Sequence, residues 1–131
     1  MDTKAKGDRS VAMIMAAFIK KGMNVLIPFG DNCRYDLVTE RDGIFSKIQC
    51  KSGRLKNGVV KFKTCSTYSH RNGGSRDYKG EVDFFGVYCF ENEKIYLVPV
   101  NDVGIRMGVL RIDETKNCQT KFVRMANIYE M

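Results

Sequence analysis

Apolar residues at Val11, Met13, Ile14, Met15, Ala17, Phe18 and Ile19 recur at helical spacing, which predicts an amphipathic helix over Asp8 to Lys21. Asp8 is placed as its N-cap and Gly22 as its C-cap. Beyond the helix the pattern breaks into short runs. Val25-Leu26-Ile27, within Asn24 to Pro28, predicts a buried strand, and Phe29-Gly30-Asp31-Asn32 predicts a loop. Tyr35 to Thr39 and Ile44 to Lys51 form two strands joined across Arg41-Asp42-Gly43, an Asp-Gly pair of the kind that closes hairpins. Val59 to Thr64 continues the meander after a turn over Gly53 to Gly58. Ser66 to Gly80 is polar, contains Gly73-Gly74 and has no apolar period, so it reads as a surface loop. Val82 to Phe90 and Lys94 to Val100 are apolar enough for central strands around the turn Glu91-Asn92-Glu93. Val109 to Ile112 adds a strand, and Phe122 to Tyr129 a closing helix.

No repeat at a period of about 20 to 50 residues is present, and Pro28 and Pro99 mark no linker, so residues 1–131 read as one domain. Hydrophobic residues at 44% and charged residues at 28% describe a globular chain. The polar start, Met1 to Ser10, and the lack of any apolar run of about eighteen residues predict a soluble cytoplasmic protein without a membrane anchor. Cys33, Cys50, Cys65, Cys89 and Cys118 are odd in number and form no C-x-x-C pair, and His70 is the one histidine. That composition argues against zinc and for reduced thiols packed as small apolar groups.

The net charge of +7 becomes informative once it is located. Gly43 to Lys79 holds nine basic residues against the single acid Asp77, a net of +8, while the rest of the chain comes to −1. Like charges this dense repel unless something neutralises them, which points to a polyanionic partner; the competing reading is a solvated face.

Side chains in a strand alternate faces, so Gln49 and Lys51 project together while Cys50 points the other way. If the hairpin brings Asp36 across from them, a carboxylate, an amide oxygen and an ammonium meet at one sheet end. Magnesium favours such oxygen donors together with water. Asp36 would anchor the ion, the Gln49 side-chain oxygen and the Cys50 carbonyl would complete its protein ligands, and Lys51 would orient water or stabilise developing charge. By itself a D-x(12)-Q-x-K spacing also fits an ordinary exposed strand.

The run Pro28-Phe29-Gly30-Asp31-Asn32-Cys33-Arg34-Tyr35-Asp36-Leu37-Val38, followed by Lys47-Ile48-Gln49-Cys50-Lys51-Ser52-Gly53-Arg54, resembles the core of the PD-(D/E)XK endonucleases. The resemblance is to the branch containing a group I intron homing endonuclease. It extends through Val82-Asp83-Phe84-Phe85 and Ile95-Tyr96-Leu97-Val98-Pro99-Val100. It implies an α/β fold, a mixed sheet flanked by helices in a restriction-endonuclease-like core, with a metal site at one end and double-stranded DNA across it. It also implies Asp36 as metal ligand, Gln49 in place of the usual acid, Lys51 as the motif lysine, and magnesium as cofactor with manganese able to substitute. Relatives carry a glutamate on the first helix where this chain aligns Val11, which cannot bind a metal.

On that reading the basic stretch contacts DNA through Lys47, Arg54, Lys56, Lys61, Lys63, Arg71, Arg76 and Lys79. The lysines fix register on phosphates, and Arg54, Arg71 and Arg76 suit bidentate contacts to guanine. The basic stretch and the metal site are expected on one face. A long target and two strands to cut imply a homo-oligomer, with a tetramer favoured over a dimer and Phe84 to Phe90 or the C-terminal segment as its interface. The alternatives are a junction-resolving nuclease and a DNA-binding relative weakened by Val11.

Overall fold

A computed structural model describes residues 2–68, 74–112 and 124–131. Helix α1 spans Thr3–Lys20 and starts about a turn and a half before Asp8, where the apolar pattern placed its beginning. The Asp2 side chain is the N-cap, accepting from the Ala5 amide at 2.7 Å, and Asp8 sits exposed within the helix. The first turns carry no apolar stripe because only the later ones lie over the sheet, through the buried Ser10, Ile14 and Phe18. Burial of Ile14 and Phe18 stabilises the helix by about 2 kcal/mol each. Gly22 ends it as expected, with φ +83°, a conformation open to glycine without penalty.

The described residues continue through nine strands: β1 (Asn24–Leu26), β2 (Leu37–Arg41), β3 (Ile44–Lys56), β4 (Val59–Lys63), β5 (Cys65–Tyr68), β6 (Gly74–Asp77), β7 (Phe84–Cys89), β8 (Lys94–Pro99) and β9 (Met107–Arg111). All but β5 and β6 join one mixed sheet, in which β3 and β7 are parallel and the other pairs antiparallel. The Asp42-Gly43 turn closes β2 on β3 with both residues at positive φ, as the sequence predicts.

Four expectations are corrected. Strand β1 is an exposed edge, with Leu26 and Ile27 uncovered, because among the described strands it pairs with β2 alone. The turn expected over Gly53 to Gly58 shrinks to Asn57-Gly58, and β3 runs on as a strand of 13 residues. Gly53 serves close packing there: a Cβ on it would meet Val87 at 2.8 Å and Val60 at 3.0 Å. The loop expected over Ser66 to Gly80 contains the β5–β6 hairpin, whose ladder pairs Cys65 with Asp77 and Ser66 with Arg76. Polar sequence hid it, since hydrogen bonding and not apolar burial holds this pair of strands. At the C terminus, Phe122 and Val123 lie outside the described residues, and the chain beyond them makes a 3-10 turn, Ala126–Ile128, in place of the longer helix. The last residues run along β8, with the Leu97 amide donating to the Tyr129 carbonyl and the Met131 amide to Ile95.

The sheet carries a core on each side. Ile14, Phe18, Leu37, Ile48, Cys50 and Tyr88 fill the side under α1. Val60, Phe62, Phe85, Val87, Val98 and Leu110 fill the other, beneath a cover that includes Tyr78, Val82, Val100, Val103 and Ala126. Flanking helices were expected; among the described residues α1 covers one face, and loops and 3-10 turns close the other. Phe84 to Phe90, suggested as an interface, is the central strand β7, with Phe85 and Val87 fully buried between β3 and β8. Cys50, Cys65 and Cys89 are buried as expected, whereas Cys33 is exposed.

Candidate functional site

The length of β3 creates the site. One of its edges belongs to β7, since Lys47 bonds to Asp83 just before β7 and the Leu55 amide donates to Glu91 just after it. The opposite edge is shared by β2 over Ile44 to Ile48 and by β4 over Arg54 to Lys56. Between them lies a notch, residues 49 to 53, where no strand pairs with that edge. Asp36, the residue before β2, enters the notch: its Oδ2 accepts the Cys50 amide at 2.9 Å, and its own amide donates to the Ile48 carbonyl at 2.9 Å. Amide and carbonyl of one strand residue lie on the same edge, so the Cys50 carbonyl also points to the Asp36 side.

Gln49 and Lys51 share the face opposite α1, in register with Phe85 and Val87 of β7, while Cys50 packs under the helix. The Lys51 ammonium lies 3.5 Å from the Cys65 carbonyl, 3.4 Å from the Tyr78 hydroxyl and 4.8 Å from the centre of that ring. Burial pushes the Asp36 carboxyl above its ordinary range, against the opposing pull of the Cys50 amide and the Lys51 charge. Burial likewise holds the Lys51 ammonium below its ordinary value, with the Asp36 charge opposing. Both charged forms thus sit where water is scarce, an arrangement that a bound cation and a phosphate relieve.

The donor set fits a hard divalent ion through Asp36, the Gln49 amide oxygen and the Cys50 carbonyl. Its charge is low, for among the described residues no three Asp, Glu, His or Cys side chains gather into a metal-holding group. Val11 packs partly buried against the helix-side core. Next to it, the Ser10 hydroxyl meets the Ser52 hydroxyl of β3 at 2.7 Å.

The basic residues divide. Arg54 pairs with Lys61 across the β3–β4 hairpin, and strand alternation puts Arg54, Lys56, Lys61 and Lys63 on the face opposite Gln49 and Lys51. Arg54, Lys56, Asn57, Val59 and Lys61 line a shallow concavity of about 230 Å³. The single basic face expected from sequence is therefore two-sided. Lys47 alone of these shares the strand face of Lys51. Lys79 is exposed, while Arg76 donates to Glu81 through Nε at 3.1 Å and Nη2 at 2.7 Å. Arg71 lies outside the described residues. Arg34 and Tyr78 flank Lys51; from sequence Tyr78 reads as a residue for base stacking, phosphate contact or framework packing and Arg34 has no separate role, because a basic and an aromatic residue so far apart along the chain carry no joint signal.

The site thus consists of a parallel pair within a mixed sheet, with an acid and a lysine converging at a break in strand pairing. The family model for PD-(D/E)XK endonuclease matches residues 1–131, and the chain belongs to that family. Among solved structures, a bacterial homing endonuclease, I-Ssp6803I, is similar with a TM-score of 0.78 and 31% sequence identity, over 99% of this chain and 89% of that one. The comparison with curated proteins gave no match. The family makes the protein an endonuclease, with DNA as its substrate class. No helix among the described residues is long and apolar enough to cross a membrane.

Proposed function

We propose that this chain is a homing-type endonuclease that cuts both strands of a specific DNA site with a divalent ion, magnesium or manganese. The observation that carries the reading is the notch in β3, where the Asp36 carboxylate and the Lys51 ammonium come together beside an unpaired strand edge. Bound magnesium supplies Lewis-acid polarisation of the scissile phosphate. Asp36, Gln49 and the Cys50 carbonyl are the residues that would hold it. The Cys50 amide fixes one Asp36 oxygen and leaves the other free to bind. Lys51, held in a site poor in water, offers a positive charge to the oxyanion that develops at phosphorus, where a low local dielectric strengthens it. Lys47, Arg54, Lys56, Lys61, Lys63, Arg71 and Lys79 are proposed to neutralise DNA phosphates, and Arg76 to join them only by leaving Glu81. The similarity to a homing endonuclease supports the homing type. A homotetramer is proposed as the working assembly.

The test is cleavage of plasmid carrying candidate intron insertion sites, with magnesium, manganese or chelator. Cleavage that needs the ion and falls about 10³-fold in Lys51→Ala is the expected result, and wild-type cutting by that variant would remove Lys51 from the chemistry. Preference for a four-way junction over linear duplex would replace homing with junction resolution. A second reading, a DNA-binding relative of low activity, is favoured by the single carboxylate of the site and by Val11 in the helix-side core.

A further inference from the structure

Tyr78 is 5% exposed, and its ring packs edge-on against Phe85 with centroids 5.7 Å apart. Two cations share that ring: the Arg34 guanidinium at 3.9 Å from its centre and the Lys51 ammonium at 4.8 Å. Cations repel, so this crowding persists only because the ring's negative face and a nearby carboxylate offset it. That carboxylate is Glu81, 3.4 Å from Arg34 Nε and 2.7 Å from Arg76 Nη2. Arg34 is fixed further by donating to the Ser66 hydroxyl at 2.7 Å, the Asp77 carbonyl at 2.7 Å and the Arg76 carbonyl at 3.2 Å. The guanidinium therefore clamps the β5–β6 hairpin and presses on the ring that touches Lys51.

A lysine is a point charge on a flexible stem of four carbons, and it reacts well only if that freedom is removed. Here the ammonium meets two acceptors, the Tyr78 hydroxyl at 3.4 Å and the Cys65 carbonyl at 3.5 Å. At those lengths each is a weak bond that directs more than it stabilises. Both acceptors belong to segments that Arg34 ties together.

We propose that Tyr78, clamped by Arg34, is a positioning residue that aims the Lys51 ammonium at the scissile phosphate. The proposal rests on the reading of Lys51 as the lysine of cleavage. Arg34 acts at one remove, through Tyr78 and the hairpin. The hydroxyl is the informative atom, since Tyr78→Phe keeps the ring and its packing and removes the Lys51 acceptor together with the hydroxyl's bond to Ser66.

Two measurements on the full chain test this. In the metal-free protein with ¹³C-labelled lysine, the Cε protons of Lys51, assigned by their loss in Lys51→Arg, are expected as two separate resonances because the side chain is held. They should merge in Tyr78→Phe and in Arg34→Met, with Arg34→Lys restoring part of the separation. In single-turnover plasmid nicking with manganese, Tyr78→Phe should slow the reaction about 10- to 100-fold at unchanged half-saturation by DNA. In a Lys51→Met background the same change should have no further effect, because a residue that acts through Lys51 has nothing left to position. Separate Lys51 resonances retained in Tyr78→Phe, or a rate loss that persists without Lys51, would overturn the proposal. A wild-type chain that nicks no DNA removes the nuclease reading, while the lysine resonances still decide whether Tyr78 holds Lys51.

Discussion

Two unequal parts of β3 differ in almost every respect. The longer, Ile44 to Gly53, runs between β2 and β7 under α1, and there Lys51, with Asp36 beside it, is buried at electrostatic cost. The shorter, Arg54 to Lys56, extends outward with β4 and β9, and across that hairpin Arg54, Lys56, Lys61 and Lys63 are exposed. One region thus holds two costly charges close together, and the other holds four inexpensive ones in water. Under the proposed function, chemistry and affinity are built separately here: the first needs position, the second only number.

The largest effect that would break the comparison is expected from Lys51→Ala, which should lower cleavage by about 10³-fold while DNA affinity stays within a factor of a few. Gel-shift titration beside single-turnover cleavage separates the two. Changing Arg54, Lys56, Lys61 and Lys63 together to Ala should do the reverse. Affinity should fall steeply, and the dependence of log K on log salt should flatten by about 0.9 for each phosphate left without its cation, with the rate at saturating DNA little changed. An unchanged salt slope would show that this face does not touch DNA.

Gly53 ends the longer part of β3, and Gly53→Ala should cost about 1 to 3 kcal/mol in urea unfolding, because Val87 and Val60 must shift to admit the methyl group. Val11→Glu should strengthen manganese binding and raise activity if the site lacks one acid. No gain would mean that this helix position does not face the ion.

The smallest effect concerns pH. Asp36 has a folded-state pKa raised above its unfolded value, so its contribution to stability is fully present below the unfolded value and is lost as pH rises through the folded one. Asp36→Asn should therefore raise the melting temperature of the metal-free protein at neutral pH while removing cleavage. Manganese affinity of the wild type should weaken as pH falls through the raised Asp36 value. A melting temperature lowered by Asp36→Asn would contradict the burial cost assigned to that carboxyl.

Much of this was legible along the chain. The α1 stripe from Val11 to Ile19, the Asp42-Gly43 hairpin and the strands at 84–89 and 94–99 were read from periodicity and turn chemistry, because each buries apolar side chains at a fixed spacing. The β5–β6 hairpin was not, because its stability lies in backbone pairing and in Arg34, neither of which leaves an apolar pattern. Gly53 was misread for a related reason: a glycine looks the same in sequence whether it serves a turn or a close approach of side chains.

The order of residues by itself determined that Gln49 and Lys51 would share a face, that positive charge would gather between Gly43 and Lys79, and that an Asp-Gly turn would fold the strand after Asp36 back alongside it. Those are consequences of local geometry and of composition. Only the tertiary structure decided that β2 and β4 would leave a gap on the same edge of β3, and that the basic side chains beyond it would turn to the opposite face. Edge pairing and the alternation of a long strand depend on which partners dock where, and that choice is made by packing between distant segments, not by neighbours in sequence.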